Sequence, residues 1–145
     1  MPLNLEQTQR ENRRILDRSK GREDAPARFA LVVEDNEGLR DLLARALELV
    51  GFEVKKAENG RTAYDFFLES RYDLVVTDLH MPVMNGFALI NRIKTRSPDV
   101  PIILVSGHLL DDLSEIGGPS AVATVMKKPF QLSELQKTAL RVVAS

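Results

Sequence analysis

The residues best suited to chemistry stand where short apolar runs of the sequence end. Glu34 and Asp35 follow the first such run, and Asp78 closes the third. Ser106 follows the fourth run and Lys128 follows the fifth. If these runs are parallel strands of one sheet, their carboxyl ends meet at one edge, where open α/β sheets bind ligands. The sequence therefore predicts that three carboxylates, one hydroxyl and one ammonium group converge.

Three ionised carboxylates in one place repel each other and call for a counter-ion. Mg²⁺ suits such a cluster because it prefers oxygen ligands and keeps several of its waters. The cation and Lys128 could hold oxygens of a phosphoryl group, and the Ser106 hydroxyl could donate to another. An Asp carboxylate is a competent nucleophile toward phosphorus. The residue types therefore predict Mg²⁺-dependent phosphoryl transfer to an aspartate.

The strands that must position these residues follow from hydrophobic patterning. Continuous apolar runs, typical of strands buried on both faces, begin at Phe29, Leu74 and Pro101. The segment 52–57 alternates and then carries charge, as expected of an edge strand. A weaker fifth strand is predicted over 121–127.

Helical patterns separate these strands. The first has apolar residues spaced from Leu39 to Val50, and a second starts at Asn59-Gly60. A third carries Phe87, Ile90 and Ile93. A short helix is predicted at about 109–116 and the last one from Leu132. Five strands alternating with five helices predict an α/β fold of flavodoxin-like (βα)5 type, with a doubly wound parallel sheet in the order 2-1-3-4-5.

The segments that carry the polar residues together resemble the receiver domain of two-component response regulators. They are VVEDN at 32–36, DLHMPVMNG at 78–86, VSG at 105–107 and KPF at 128–130. Each segment alone is a weak signal, but the ordered set at the right strand ends is specific. The resemblance covers about residues 29–144. It implies a signalling module that catalyses only its own phosphorylation and dephosphorylation.

The resemblance also assigns roles to residues. In that family an aspartate at the end of the third strand accepts a phosphoryl group from a kinase phosphohistidine, and the matching residue is Asp78. An acid pair on the first strand organises Mg²⁺; Asp35 matches the direct ligand and Glu34 the one acting largely through water. A further ligand is a main-chain carbonyl two residues past the phosphoacceptor, which is that of His80.

The remaining site residues match the family except at one position. Ser106 and Lys128 match its Ser/Thr and Lys, and the Lys128–Pro129 peptide bond is a candidate for the cis form. Receivers usually carry Tyr or Phe three residues before the lysine, where this chain has Val125. A valine cannot act as the usual aromatic switch. Activation would then pass through the segment after Ser106 or through residues 1–28, unless the domain is mainly a phosphate carrier.

Other interpretations stay open. A phosphatase of the haloacid dehalogenase type also uses an Asp nucleophile and Mg²⁺, but it normally needs a second Asp where this chain has His80. A receiver-like adaptor would bind partners without phosphorylation. Taken singly, the acidic residues could be helix caps. The side chains of His80 and His108 are expected to be exposed, and Lys127 to be a solvated neighbour of the site.

Composition excludes several classes of protein. The length of 145 residues fits one domain, and a net charge of −1 argues against a nucleic-acid surface. Without cysteine there is no disulfide framework and no thiolate nucleophile or metal ligand. The apolar runs are too short to span a membrane and the N-terminus lacks a signal-peptide pattern, so a cytoplasmic location is expected.

Charge divides the chain into two parts. Residues 1–28 carry seven Lys or Arg and five Asp or Glu, a net of +2, and the remaining 117 residues carry thirteen and sixteen, a net of −3. Residues 1–28 are expected to form an extension with a linker, in which a mobile or weakly docked helix is favoured over a partner-binding element. Residues 29–145 are expected to form the receiver.

The expected partners are proteins. A sensor histidine kinase or a histidine phosphotransfer protein would act as donor and dock on the helix beginning at Gly38. A downstream protein, or a second copy in a homodimer, would meet a face that includes Leu109, Leu110 and Leu140. The last helix ends near the C-terminus, so the sequence predicts either a stand-alone receiver or a piece of a longer protein.

Overall fold

The computed structural model describes residues 27–107 and 124–144, which form nine regular elements. The strands are β1 (Arg28–Val33), β2 (Phe52–Ala57), β3 (Leu74–Asp78), β4 (Ile102–Ser106) and β5 (Thr124–Lys127). The helices are α1 (Glu37–Glu48), α2 (Gly60–Glu69), α3 (Gly86–Arg96) and α4 (Leu132–Ala144).

The five strands form one parallel sheet in the order β2-β1-β3-β4-β5. Every residue of the central strands β3 and β4 is buried, as their continuous apolar runs predict. Glu53, Lys55 and Lys56 of β2 are exposed, which suits a strand at the edge of the sheet. The predicted flavodoxin-like α/β fold and its strand order are thus confirmed.

Hydrophobic cores cover both faces of the sheet because alternate strand residues point to opposite sides. In β1, Leu31 and Val33 point into a core beneath α2 and α3, whereas Ala30 and Val32 point into a core beneath α1 and α4. The helices contribute to the first core Ala63, Phe67, Leu89, Ile90 and Ile93, and to the second Leu43, Ala46, Leu47, Leu135 and Ala139.

Three helices begin with an asparagine cap at the carboxyl edge of the sheet. The side chains of Asn36, Asn59 and Asn85 each accept a hydrogen bond from the backbone amide three residues further on. Each cap of this kind stabilises its helix by about 1 kcal/mol. The positive ends of the three helix dipoles therefore lie at the edge where the strands end in acidic residues.

The elements differ from the sequence-based expectation at a few ends. Strand β4 begins at Ile102 and not at Pro101, because proline has no N–H for the ladder. Helix α1 ends at Glu48, before Val50, and Gly51 reverses the chain with a φ of 100°.

Some predictions fall outside the described residues. They are the extension up to residue 26, the short helix at about 109–116, and the first three residues of the predicted fifth strand. Within residues 27–107 and 124–144, no helix has the length and apolarity that crossing a membrane requires.

Candidate functional site

Strand register brings three acidic side chains together at the carboxyl edge of the sheet. Val33 of β1 pairs with Thr77 of β3, so the residues that follow them, Glu34 and Asp78, lie side by side. Carboxylate oxygens of Glu34, Asp35 and Asp78 lie within 4.8 Å of one another. Only 2% of Glu34 and 7% of Asp78 is exposed to solvent, whereas Asp35 is exposed. The cluster therefore combines two buried carboxylates with one that solvent reaches.

The ammonium group of Lys128 lies between the two buried carboxylates. Its Nζ donates to Asp78 Oδ2 at 2.7 Å and to Glu34 Oε1 at 3.3 Å. Burial lowers the pKa of Lys128, but the hydrogen bond to Asp78 and the negative charges of Asp78 and Glu34 outweigh it, so the pKa lies above its usual value. Lys128 is therefore positively charged at neutral pH and offsets part of the negative charge.

Burial is also the largest influence on the pKa of Glu34. Removal from water raises the pKa of this carboxyl group, and the nearby charge of Asp78 adds to the increase. The backbone amide of Asn36 donates to Glu34 Oε2 at 3.0 Å and, with the charge of Lys128, lowers the pKa again in part. The net rise shows that ionising Glu34 here costs free energy, and a bound cation would offset that cost.

Ser106 ends β4 beside this cluster and is fully buried. It pairs with Lys127 of β5, and its carbonyl oxygen accepts a hydrogen bond from the backbone amide of Lys128 at 2.8 Å. The Lys128–Pro129 peptide bond is cis, as predicted. Lys127 is exposed, in agreement with its expected place as a solvated neighbour.

The backbone after Asp78 turns back over the carboxylate. The His80 amide donates to Asp78 Oδ1 at 3.1 Å, while the Thr77 hydroxyl donates to the Asp78 carbonyl at 2.8 Å. The imidazole of His80 is exposed, as expected, and its main chain lies beside the acidic cluster. Both carboxylate oxygens of Asp78 therefore have a donor, one from this loop and one from Lys128.

Two glycines hold the ends of this loop, residues 79–86, against the sheet and α2. The Gly86 amide donates to Leu79 O at 3.0 Å, and the Gly60 amide donates to Met84 O at 2.9 Å. A Cβ on Gly86 would lie 2.4 Å from Asp78 O, and one on Gly60 would lie 2.3 Å from Met84 O. Neither position has room for a side chain. The loop is therefore held by close contact between its backbone and the backbone of the two glycines.

Sequence reasoning missed the parts played by Arg40 and Gly60. The Arg40 guanidinium donates through one Nη to Glu34 O at 2.9 Å and to Asp35 O at 3.5 Å. The available signal was its position one turn into the helix that follows the acid pair, from which a long side chain reaches back. The sequence indicated Gly60 only as the start of a helix, because the contact with Met84 is tertiary.

The donor set fits a hard divalent cation. Three carboxylates and the ammonium of Lys128 carry a net charge of −2, from three negative groups and one positive group. Carboxylate and main-chain carbonyl oxygens are the ligands that Mg²⁺ prefers, and exposed Asp35 leaves room for its waters. A shallow open depression of about 440 Å³ adjoins the cluster, with Asp35, His80, Pro82 and Phe87 in its lining.

Known proteins that are similar to this chain are receiver domains or response regulators, in agreement with the fold and with the acidic residues at the carboxyl edge of the sheet. The model of the response regulator receiver domain matches residues 30–140. The chain belongs to the response regulator receiver domain family. Receiver domains are signalling modules of two-component systems and have no conventional catalytic function.

Individual relatives are similar to the chain at moderate identity. The response regulator receiver protein CpdR of Brucella abortus is 34% identical over 105 residues, which are 72% of this chain and 88% of CpdR. The response regulator MprA of Mycolicibacterium vanbaalenii is 36% identical over 107 residues, 72% of this chain but only 46% of MprA. The chain thus spans most of one curated relative and less than half of another.

Solved structures show the same architecture. The chemotaxis protein CheY4 of Vibrio cholerae has a TM-score of 0.74 at 28% identity, over 81% of this chain and 99% of CheY4. The non-phosphorylated receiver domain of HemR from Leptospira biflexa has a TM-score of 0.72 at 30% identity, over 81% of this chain and 95% of that domain.

Proposed function

We propose that this chain is a receiver whose Asp78 accepts a phosphoryl group from a phosphohistidine. The donor is a sensor histidine kinase or a histidine phosphotransfer protein. The observation that carries the proposal is the placement of Asp78. It is a nearly buried carboxylate at the end of β3, 2.7 Å from the Lys128 ammonium and within 4.8 Å of two other acidic groups.

The residues around Asp78 support a direct transfer. A carboxylate oxygen of Asp78 forms a bond to phosphorus while the bond between phosphorus and the donor imidazole nitrogen breaks, and the departing imidazole takes up a proton from water. The Lys128 ammonium is close enough to pair with one oxygen of the incoming group, and the Ser106 hydroxyl donates to another. Hydrolysis of the acyl phosphate by water then restores the Asp78 carboxylate.

We further propose that Mg²⁺ is the resident cation. Asp35 and Asp78 bind it directly, Glu34 acts largely through water, and the main-chain carbonyl of His80 is a further ligand. When bound, the cation supplies positive charge to the phosphoryl oxygens. The support is the cluster of three carboxylates, one exposed, together with the raised pKa that burial gives Glu34.

The organisation of the whole protein is part of the proposal. Residues 29–145 form the receiver and residues 1–28 an extension, in line with a family match that begins at residue 30. The receiver acts in the cytoplasm through protein contacts and turns over no separate substrate. CpdR is similar to this receiver over 88% of its own length.

Mass spectrometry of the intact chain tests the proposal. With a small phosphodonor and Mg²⁺, the wild-type chain is expected to gain the mass of one phosphoryl group, and EDTA is expected to prevent the gain. Asp78→Asn is expected to take up none, whereas Asp65→Asn, at an exposed position on α2, takes up as much as wild type. Equal uptake by Asp78→Asn would refute the assignment. No uptake by wild type would favour an adaptor that works without phosphorylation.

A further inference from the structure

Val83, in the loop that follows Asp78, has an unusual combination of backbone and exposure. Its φ is +70°, in the left-handed region, and 77% of the residue is exposed to solvent. Among the described residues it is the one non-glycine position with a positive φ. β-Branched residues are disfavoured there because Cβ crowds the following carbonyl oxygen, whereas glycine and asparagine adopt this conformation readily.

The loop imposes this conformation on Val83. Met84, the next residue, has its carbonyl oxygen held by the Gly60 amide at 2.9 Å, and Gly86 is held by Leu79 O at 3.0 Å. These hydrogen bonds close the loop between Leu79 and Gly86 and fix its backbone directly after Val83. Backbone strain of this kind persists where the surroundings determine the conformation, and it concentrates at functional sites.

The folded chain gains little from a valine at this position. A side chain with 77% exposure buries almost no apolar surface, so burial does not offset the backbone strain. An apolar, branched side chain at this exposed position is available for contact with another molecule. The position of the loop indicates which one.

Val83 is next in sequence to a residue that lines the open depression beside the acidic cluster. Its neighbour Pro82 lines the depression of about 440 Å³ with Asp35, His80 and Phe87. Asp78 is the last residue of β3, which lies between β1 and β4, so a phosphohistidine on a protein reaches it from beyond the carboxyl ends of the strands. A macromolecular donor therefore covers this loop whenever its phosphorus reaches Asp78, while a small phosphodonor does not need to touch Val83.

We propose that Val83 is a contact residue for the protein phosphodonor and packs against an apolar side chain beside the donor histidine. This inference rests on the proposed function, because it concerns the partner of the same site. It predicts that Val83 affects transfer from a protein and leaves uptake from a small molecule unchanged.

The test compares two phosphodonors on the full chain. Phosphotransfer is first profiled with the purified histidine kinases and phosphotransfer proteins of the host, and the fastest donor to wild type is used. Val83→Asn removes the apolar contact and suits the left-handed backbone. It is expected to slow transfer from that donor roughly five-fold, the effect of losing partial burial of one valine. Uptake from a small phosphodonor and the melting temperature are expected not to fall.

Two variants serve as controls. Val83→Met keeps an apolar side chain and is expected to retain most of the transfer rate. Leu68→Asn removes an apolar residue that is 45% exposed near the C-terminal end of α2, outside the helix expected to meet the donor, and it is expected to have no effect on transfer.

Equal transfer from the protein donor to Val83→Asn and wild type would overturn the inference and leave the proposed function intact. An equal slowing with both donors would also overturn it, because Val83 would then act only through the shape of the loop. Absence of uptake at Asp78 from either donor in wild type would instead refute the proposed function itself.

Discussion

The charge balance around Asp78 depends on Lys128. Its ammonium contacts two carboxylates that are almost fully buried, at 2.7 and 3.3 Å. Removing one partner of a buried ion pair is costly because the other charges stay behind without compensation. Strand ends in the sequence were sufficient to predict that these groups meet. They did not reveal that Lys128 bridges Asp78 and Glu34, because that depends on side-chain conformations.

Lys128→Met is expected to lower the free energy of unfolding when no divalent cation is present. The expected decrease is about 1–3 kcal/mol, less than for a fully buried pair because the Lys128 side chain is 29% exposed. Urea denaturation with EDTA measures it. Lys127→Met, at the exposed neighbouring position, is the matched control and is expected to change stability very little. Equal losses in both variants would show that the contacts of Lys128 with Asp78 and Glu34 do not stabilise the fold.

Helix α2 contributes to the site through its first residue. The amide of Gly60 donates to Met84 O, and its α-carbon leaves no room for a Cβ, which would lie 2.3 Å from that oxygen. Gly38, in the first turn of α1, differs because its nearest atom to a Cβ would be Asn36 Oδ1 at 3.5 Å, an ordinary contact. Gly60 is therefore required by a tertiary contact with Met84, whereas at Gly38 only helix propensity is affected by the residue type.

Gly60→Ala is expected to destabilise the fold by about 1–3 kcal/mol, because the loop after Asp78 must move away from α2. The displaced loop is expected to slow phosphoryl uptake from a small donor several-fold. Gly38→Ala is expected to stabilise the chain by about 0.5–1 kcal/mol, since alanine is the better helix former. Thermal unfolding and the rate of uptake measure both effects. Normal uptake by a destabilised Gly60→Ala would show that α2 does not position the loop.

The elements also show how far the sequence predicts this fold. The continuous apolar runs of β3 and β4 and the charged pattern of β2 were enough for the strand order, because burial on both faces identifies central strands. The sequence did not predict where α1 ends, because Val50 continues the apolar spacing after the helix has ended at Glu48. The loop contact between Gly60 and Met84 joins residues far apart in sequence, and local patterns carry no signal for it.

Across the molecule, the acidic edge couples stability to cation binding. A ligand that binds only the folded state raises the free energy of unfolding, by about 2.7 kcal/mol at a concentration 100 times its Kd. Mg²⁺ is therefore expected to raise the melting temperature of the wild-type chain by several degrees. Asp35→Asn is expected to lose most of this increase while keeping the fold, because Asp35 is exposed.

Asp41→Asn is the matched control for Mg²⁺ binding. Asp41 is also acidic and exposed on α1, but its partner is Lys56 of β2, at 2.9 Å. Thermal scans at constant ionic strength, with Na⁺ in place of Mg²⁺ as reference, measure the effect. The same Mg²⁺ response in Asp35→Asn and wild type would be inconsistent with a cation held by the three carboxylates.

The most direct test of the central claim locates the phosphoryl group on the chain. After phosphorylation by a small donor, borohydride reduces an aspartyl phosphate to homoserine, and peptide mass spectrometry identifies the altered residue. Homoserine is expected at Asp78 alone, and none when the donor or Mg²⁺ is left out. Homoserine at Asp35 or at another aspartate, with Asp78 unchanged, would contradict the role of Asp78 as phosphoacceptor.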